Sequence, residues 1–191
     1  TPTEYALDSG LKLTSFLGQV NPGNGFVPAQ FDQGTASTVE GGVDAVSEIR
    51  WGRWAGGIAT IATPGAPRPL DLTKRSLHWV MSGNADQAPI IPTTGIGTYT
   101  LIGSTSPTDF AGGSGTLGAA TLTADFGRQT VQSTLNITMP TGTWSANGVG
   151  QIGVRAGQPL LAQDFAGNYV VNFTPAAGQS LGGSGGFAGF F

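Results

Sequence analysis

Apolar and polar residues alternate most regularly between Gly118 and Met139. On the first arm Leu122, Ala124 and Phe126 share one face, while Thr121, Thr123 and Asp125 share the other. On the second arm Val131, Ser133, Leu135, Ile137 and Met139 alternate with Gln132, Thr134, Asn136 and Thr138. Successive side chains of a strand point to opposite faces, so this period predicts an antiparallel hairpin with one buried and one wet face. Gly127 is expected to supply the permissive backbone of its turn.

The same period, more weakly expressed, runs through much of the chain. Asp44 to Trp51 alternates Val46 and Glu48 against Ala45, Ser47, Ile49 and Trp51, and two tryptophans set among glycines favour a bent strand there over a helix. Leu77–Met81 and Thr98–Ile102 read as strands, and Trp144–Val154 as one strand or two short ones. Leu160–Phe165 and Tyr169–Phe173 are expected to form a hairpin about Ala166-Gly167-Asn168. The tail from Gly182 to Phe191 reads as the first half of a strand. Between these lie three loop-like stretches, Thr63–Arg75 with its three prolines, Gly83–Thr94, and Gly103–Gly113. The first 43 residues carry little pattern. Leu11–Leu17 alternates, and Gly25–Phe31 reads as an edge strand because Pro28 lacks the N–H that a central strand needs. Short strands separated by turn signals every 8–12 residues, with no long crossover, predict an all-β fold. The expected form is a single antiparallel up-and-down β-barrel of about eight strands over residues 44–191, with residues 1–43 as an irregular lead-in packed upon it.

Composition supports β-structure. The chain has 191 residues with 32 glycines and only 10% charged residues, so Thr, Ser, Asn and Gln provide the surface polarity where a helical protein would use Lys and Glu. It has no cysteine, which removes thiol catalysis, thiolate metal sites and disulfides. A net charge of −3, with the basic residues scattered, gives no electrostatic reason to bind nucleic acid or an anionic membrane surface. No apolar run approaches the roughly 20 residues of a membrane-spanning helix. Thr1-Pro2-Thr3-Glu4 has none of the features of a signal peptide and reads as the start of a mature fragment.

Candidate chemistry is sparse. Arg50-Trp51-Gly52-Arg53-Trp54 is the densest polar-aromatic cluster, and Arg with Trp suits a protein interface or a carbohydrate-stacking platform. Alternation sets Trp51 and Trp54 on opposite faces, one in the core and one over an edge. His78, beside Trp79, is the only histidine; alone and without cysteine it makes no ordinary zinc site. It also lacks a nucleophile elbow to serve. A glycosidase pair would draw on Glu48 and Asp125, then Glu40, Asp44 and Asp164, yet no two of them alternate among aromatics as a glycan cleft requires. The Gly112-Gly-Ser-Gly-Thr116 run has no lysine and no following helix to cradle phosphate. No catalytic residue, metal or cofactor is expected, and the candidate interaction surface comprises Arg50, Trp51, Arg53, Trp54, His78 and Trp79.

Two further stretches carry a resemblance. One runs from Gly97-x-Tyr99-x-Leu-Ile-Gly103-x-Thr105-x-Pro107-Thr108 through a Gly-rich loop to Leu-Thr-Ala-Asp-Phe126 and a Val-x-x-x-Leu-x-Ile strand. The other is Gly182-Gly-Ser-Gly-Gly-Phe187-Ala-Gly-Phe190-Phe191. Together, over roughly residues 48–191, they resemble the eight-stranded C-terminal barrel domains of transferrin-binding-protein-like bacterial surface lipoproteins, and similar barrels fused to iron-regulator-type domains. The resemblance implies a non-enzymatic, exported domain at the bacterial cell surface, outer-membrane-associated or periplasmic. Its loops would bind a protein partner, iron-linked or another domain of a longer parent chain. In that family the Gly-rich tail continues into one more strand, so a barrel ending at Phe191 would leave an edge open to pairing with another chain. The alternatives are a lipocalin-like carrier of a small apolar ligand inside the barrel, a glycan-active enzyme, and an integral outer-membrane barrel, for which the terminal Phe190-Phe191 and the length speak.

Overall fold

The computed structural model describes residues 5–20, 27–82, 90–153 and 164–191, and these residues contain strands and no helix. The strands form three antiparallel sheets, none of which closes on itself among the described residues. The chain divides into two compact units, one of residues 1–83 with 103–113, the other of residues 84–102 with 114–191. The hairpin 160–173 expected from the pattern lies partly outside the described residues, as does most of the loop expected at 83–94.

The first unit contains β1 (Tyr5–Leu7), β2 (Leu13–Val20), β3 (Val27–Asp32), β4 (Ser37–Val43), β5 (Ile49–Ala55), β6 (Ile58–Ala62), β7 (Pro67–Asp71) and β8 (Ser76–Ser82). They make a five-stranded sheet in the order β1-β2-β3-β6-β7 and a three-stranded sheet in the order β4-β5-β8. A core of Leu13, Ala36, Trp54, Ala59 and Leu72 lies between the two sheets, with Phe16, Phe31, Leu77 and Trp79 packed around it. The indole N–H of Trp54 crosses from one sheet to the other to donate to the Leu13 carbonyl at 3.0 Å. A bulge opposite Ala6 and Leu7 pairs Leu7 with Leu13 and Tyr5 with Phe16. That extra residue brings Leu13 and Phe16, three apart, onto one face, where Phe16 stacks on Phe31 at 4.6 Å.

Prolines mark unpaired edges here more than loops. Leu72 N–H donates to the Gly57 carbonyl, so even-numbered residues of β7 face β6, and Pro67 and Pro69 turn their missing N–H to the open side of an edge strand. The sequence reading of 63–75 as a loop fails for this reason. Pro28 is the subtler case, because β3 is an interior strand. Its register with β6 covers only Gln30 to Asp32, so Pro28 lies beyond the end of that pairing. Alternation placed a strand start at Asp44; instead, residues 44–48 turn the β4–β5 hairpin. The Asp44 carboxylate accepts from Ser47 N–H at 2.8 Å and Ser47 Oγ at 2.6 Å, and Val46 is 94% exposed.

The second unit is a six-stranded meander. Its strands are β9 (Ile96–Tyr99), β10 (Thr116–Asp125), β11 (Thr130–Met139), β12 (Gly142–Ile152), β13 (Asp164–Pro175) and β14 (Leu181–Phe190). The hairpin with two faces forms as the alternation predicts: Ala124 and Val131 are fully buried, while Gln132, Thr134, Asn136 and Thr138 are exposed. The left-handed turn residue is Gln129 (φ 54°), whereas Gly127 stays outside that region. Asp125 closes the turn, accepting from the Arg128 N–H at 2.9 Å and its guanidinium at 3.0 Å. Gly167 and Asn168 lie inside β13, which pairs without a break with β12 from Phe165 to Pro175. A Cβ at Gly167 would stand 2.5 Å from the Gly150 Cα and from the Phe187 ring. Its glycine therefore permits close packing, where the sequence suggested a turn. Ala124, Phe126, Val131, Ile152 and Phe165 form the core, joined by Phe187 and Phe191. Phe191 contacts Tyr99 of the opposite edge strand, ring centroids 5.6 Å apart, so the sheet coils until its two edges approach at that end.

Candidate functional site

The three-stranded sheet of the first unit gathers most of the expected site residues and divides them between its faces. Cross-strand partners share a face. Trp51 and Arg53 therefore lie with His78, and Arg50 and Trp54 with Trp79 on the other side. Trp54 is completely buried in the core. Trp79 lies over Gly52, where a side chain would overlap its ring, and packs against the same core.

On the face of Trp51 and Arg53 the side chains hold a strap formed by residues 103–113. The Glu40 carboxylate accepts from the Arg53 guanidinium at 2.7 Å and from the Ser106 N–H at 2.6 Å. Arg53 also donates to Ser76 Oγ at 2.9 Å. These contacts, the Arg53 hydrogen bond foremost, hold the Glu40 carboxyl at about 2, well below its ordinary value. His78 bridges two hydroxyls of the strap, Nδ1 to Thr105 at 2.7 Å and Nε2 to Thr108 at 2.9 Å. Burial, and secondarily the Arg53 charge, push the His78 pKa down against the opposing pull of Glu40. The Trp51 ring fills the space beside Gly103, which has room for no side chain. Phe110 receives the Arg75 guanidinium over its ring at 5.6 Å. The stretch expected to display a free loop is thus tied down by two of the expected surface residues, His78 and Trp51, and by Glu40, which Arg53 holds in place.

A groove of about 330 Å³ runs along the other margin of this sheet. One wall is β4 from Thr38 to Val43; the other is the turn carrying Gly10, Leu11 and Lys12, and Arg50, Trp51 and Trp79 complete it. The turn is fixed by Asp8, whose carboxylate accepts from the N–H groups of Gly10 and Lys12 at 2.8 and 2.9 Å. Leu11 is held there in the left-handed region (φ 60°) with its side chain 58% exposed. Of the six expected residues, Arg50, Trp51 and Trp79 line this groove, while Arg53, Trp54 and His78 serve the strap and the core. The sequence reading passed over Lys12, Leu11 and the β4 strand. Their only signals were Val39-Glu40-Gly41-Gly42-Val43, a β-branched run with thinned side chains, and an Asp-Ser-Gly turn before Leu11.

Several other carboxylates have structural partners among the described residues. Asp32 accepts from Gly34 N–H at 2.9 Å, Asp71 from Thr73 N–H and Oγ1, and Asp109 from the N–H groups of Ala111 and Gly113. Hydrogen bonds to hydroxyls and backbone amides lower the pKa of Asp44, Asp71 and Asp125. Among the described residues no three His, Asp or Glu side chains cluster closely enough to hold a metal ion. Compared with family models, with curated proteins and with solved structures, the chain has no match in any of the three.

Proposed function

We propose that this chain is a non-enzymatic recognition domain of an exported bacterial protein and that its ligand is another protein. One observation carries this reading: His78 and Glu40, the titratable groups nearest the candidate surface, are committed to holding the strap. The sole histidine has both ring nitrogens on strap hydroxyls. The Glu40, Asp44, Asp71 and Asp125 carboxyls are all held below their ordinary values, whereas a glycosidase general acid needs a raised one. Beside them lies an open groove lined by aromatic, aliphatic and cationic side chains, the composition that protein interfaces favour. The resemblance to transferrin-binding-protein-like barrels points to a surface-exposed or periplasmic location and an iron-linked protein partner. In that reading the six-stranded meander corresponds to the family barrel, with β9 and β14 as the strands that would meet. Its concave face carries Phe126, Phe165, Phe187 and Phe191 in mutual contact, which favours a filled interior over a lipocalin-like carrier.

The test is to pass iron-loaded and iron-free transferrin over the immobilised chain and, in parallel, to incubate the chain with a panel of polysaccharides. Saturable protein binding without release of reducing sugar is expected. Sugar release that disappears in Asp125→Asn or Glu40→Gln would overturn the proposal in favour of an enzyme.

A further inference from the structure

The margin of the three-stranded sheet is an edge left open, and the groove runs along it. Asp44 N–H donates to the Ile49 carbonyl at 2.9 Å, and Val43 pairs with Arg50. In an antiparallel ladder the bonded and non-bonded pairs alternate. Gly42 therefore faces Trp51 with its backbone, while Gly41 and Val43 turn their N–H and C=O groups away from β5, toward the groove. β4 is the outermost strand of its sheet, so no strand receives those four groups among the described residues. A bulge at Val39 interrupts the strand at its start, but the stretch from Glu40 to Val43 pairs regularly with β5 and carries neither proline nor lysine to blunt the edge. Gly41 and Gly42 remove the side chains that would keep another backbone at a distance.

We infer that this groove binds an extended segment of a partner protein as an added strand on β4, a segment that carries apolar residues together with Asp or Glu. The inference rests on the recognition reading above and specifies its partner. Main-chain bonds to Gly41 and Val43 would supply the pairing, and the rims of the groove the selectivity. On the apolar side, Val39, Val43 and Leu11 are 48%, 50% and 58% exposed along the groove. On the charged side, Lys12 and Arg50 line it and form no salt bridge among the described residues. The only carboxylate in the lining, Glu40, is already neutralised by Arg53. The groove is thus locally cationic on a chain whose net charge is −3.

The test is to pan the chain against a phage-displayed library of random octapeptides, then to titrate a synthetic peptide of the enriched pattern by tryptophan fluorescence. Peptides that combine apolar residues with Asp or Glu should be enriched. Val43→Pro removes one outward N–H and leaves the β4–β5 ladder intact, so it should weaken the peptide at least about tenfold without changing the melting temperature. Val43→Thr, which keeps that N–H, should stay within about threefold. Replacing Lys12 and Arg50 together by Gln should weaken binding at least about fivefold and flatten its salt dependence. No enriched pattern, or a pattern indifferent to Val43→Pro, would overturn the inference. Enrichment without acidic residues would overturn its charge component. A dimer in sedimentation that Val43→Pro dissolves would assign the edge to a second copy instead. Transferrin binding that survives Val43→Pro would remove the groove while leaving the recognition reading in place.

Discussion

Single residues decide how the strap over the three-stranded sheet behaves with pH. The Glu40 carboxyl is held at about 2 in the fold, against 4.5 ordinarily. A depressed carboxyl stabilises the fold fully above its unfolded value and loses that contribution as pH falls from 4.5 toward 2. Discounted for a partly exposed pair, the contribution is about 1–2 kcal/mol at neutral pH. Glu40→Gln should therefore lower the urea midpoint at pH 7 and flatten the acid limb of stability against pH. An acid limb identical to that of the parent chain would show that Glu40 gains nothing from Arg53. His78 acts at higher pH with the same sign. Its pKa is lowered mainly by burial, so the fold favours the neutral ring, and stability declines as pH drops below the ordinary 6.5. At Gln129 the backbone is left-handed (φ 54°) with no Cβ-free residue to relieve it. Gln129→Gly should raise stability by up to about 1 kcal/mol, the relieved strain outweighing the added freedom of the unfolded chain. Differential scanning calorimetry reads this directly, and a lower melting temperature would contradict it.

At the scale of elements, the strap is held from three directions: by His78, by Glu40 and by the Trp51 ring against Gly103. His78→Ala removes two of its hydrogen bonds, and Gly103→Val forces a side chain into the indole. Hydrogen exchange should quicken at Ser106 and Asp109 in both variants, while β11 and β12 keep their protection. Gly103→Val should cost about 1–3 kcal/mol as an overpacked site. Unchanged exchange at Ser106 would mean that the strap does not depend on these contacts. The element scale is also where the sequence was hardest to read. Alternation identified β11 because one face is buried and the other wet along the strand, and it identified the stretch of β10 that pairs with β11 beyond the bulge at Leu117–Ala120. It misplaced the start of β5 because Asp44 captures the backbone of its own turn. It missed β7 because prolines read as loop until the free side of the strand is known. It divided β13 because Gly167 was taken for a turn when an aromatic ring lies against it.

At the scale of the molecule, each unit has its own buried cluster, one about Trp54 and one about Ala124 and Val131. Trp54→Ala empties the centre of the first and should cost about 3–5 kcal/mol. Urea unfolding followed by circular dichroism measures that loss, and a change under about 1 kcal/mol would show that Trp54 is not the keystone of its unit. The candidate site was half legible. Arg50, Trp51 and Trp79 attract notice in any sequence because large aromatics beside cations are uncommon on a polar, glycine-rich chain. Lys12, Leu11 and the glycines of β4 do not, since nothing local says that a turn near residue 10 lies opposite an edge strand near residue 41.

The sequence by itself determined that the chain is built of antiparallel strands. It also determined which face of the main hairpin is buried, and that Trp51 and Trp54 part to opposite sides of their strand. These follow from a period of two, a property of neighbours along the chain. Only the tertiary structure decided which strands lie side by side, that the sheets among the described residues number three, and that among those residues β4 is left as an edge with a groove beside it. Pairing and edge status depend on contacts between residues far apart in sequence, whose register is fixed by packing and bulges that no local pattern encodes.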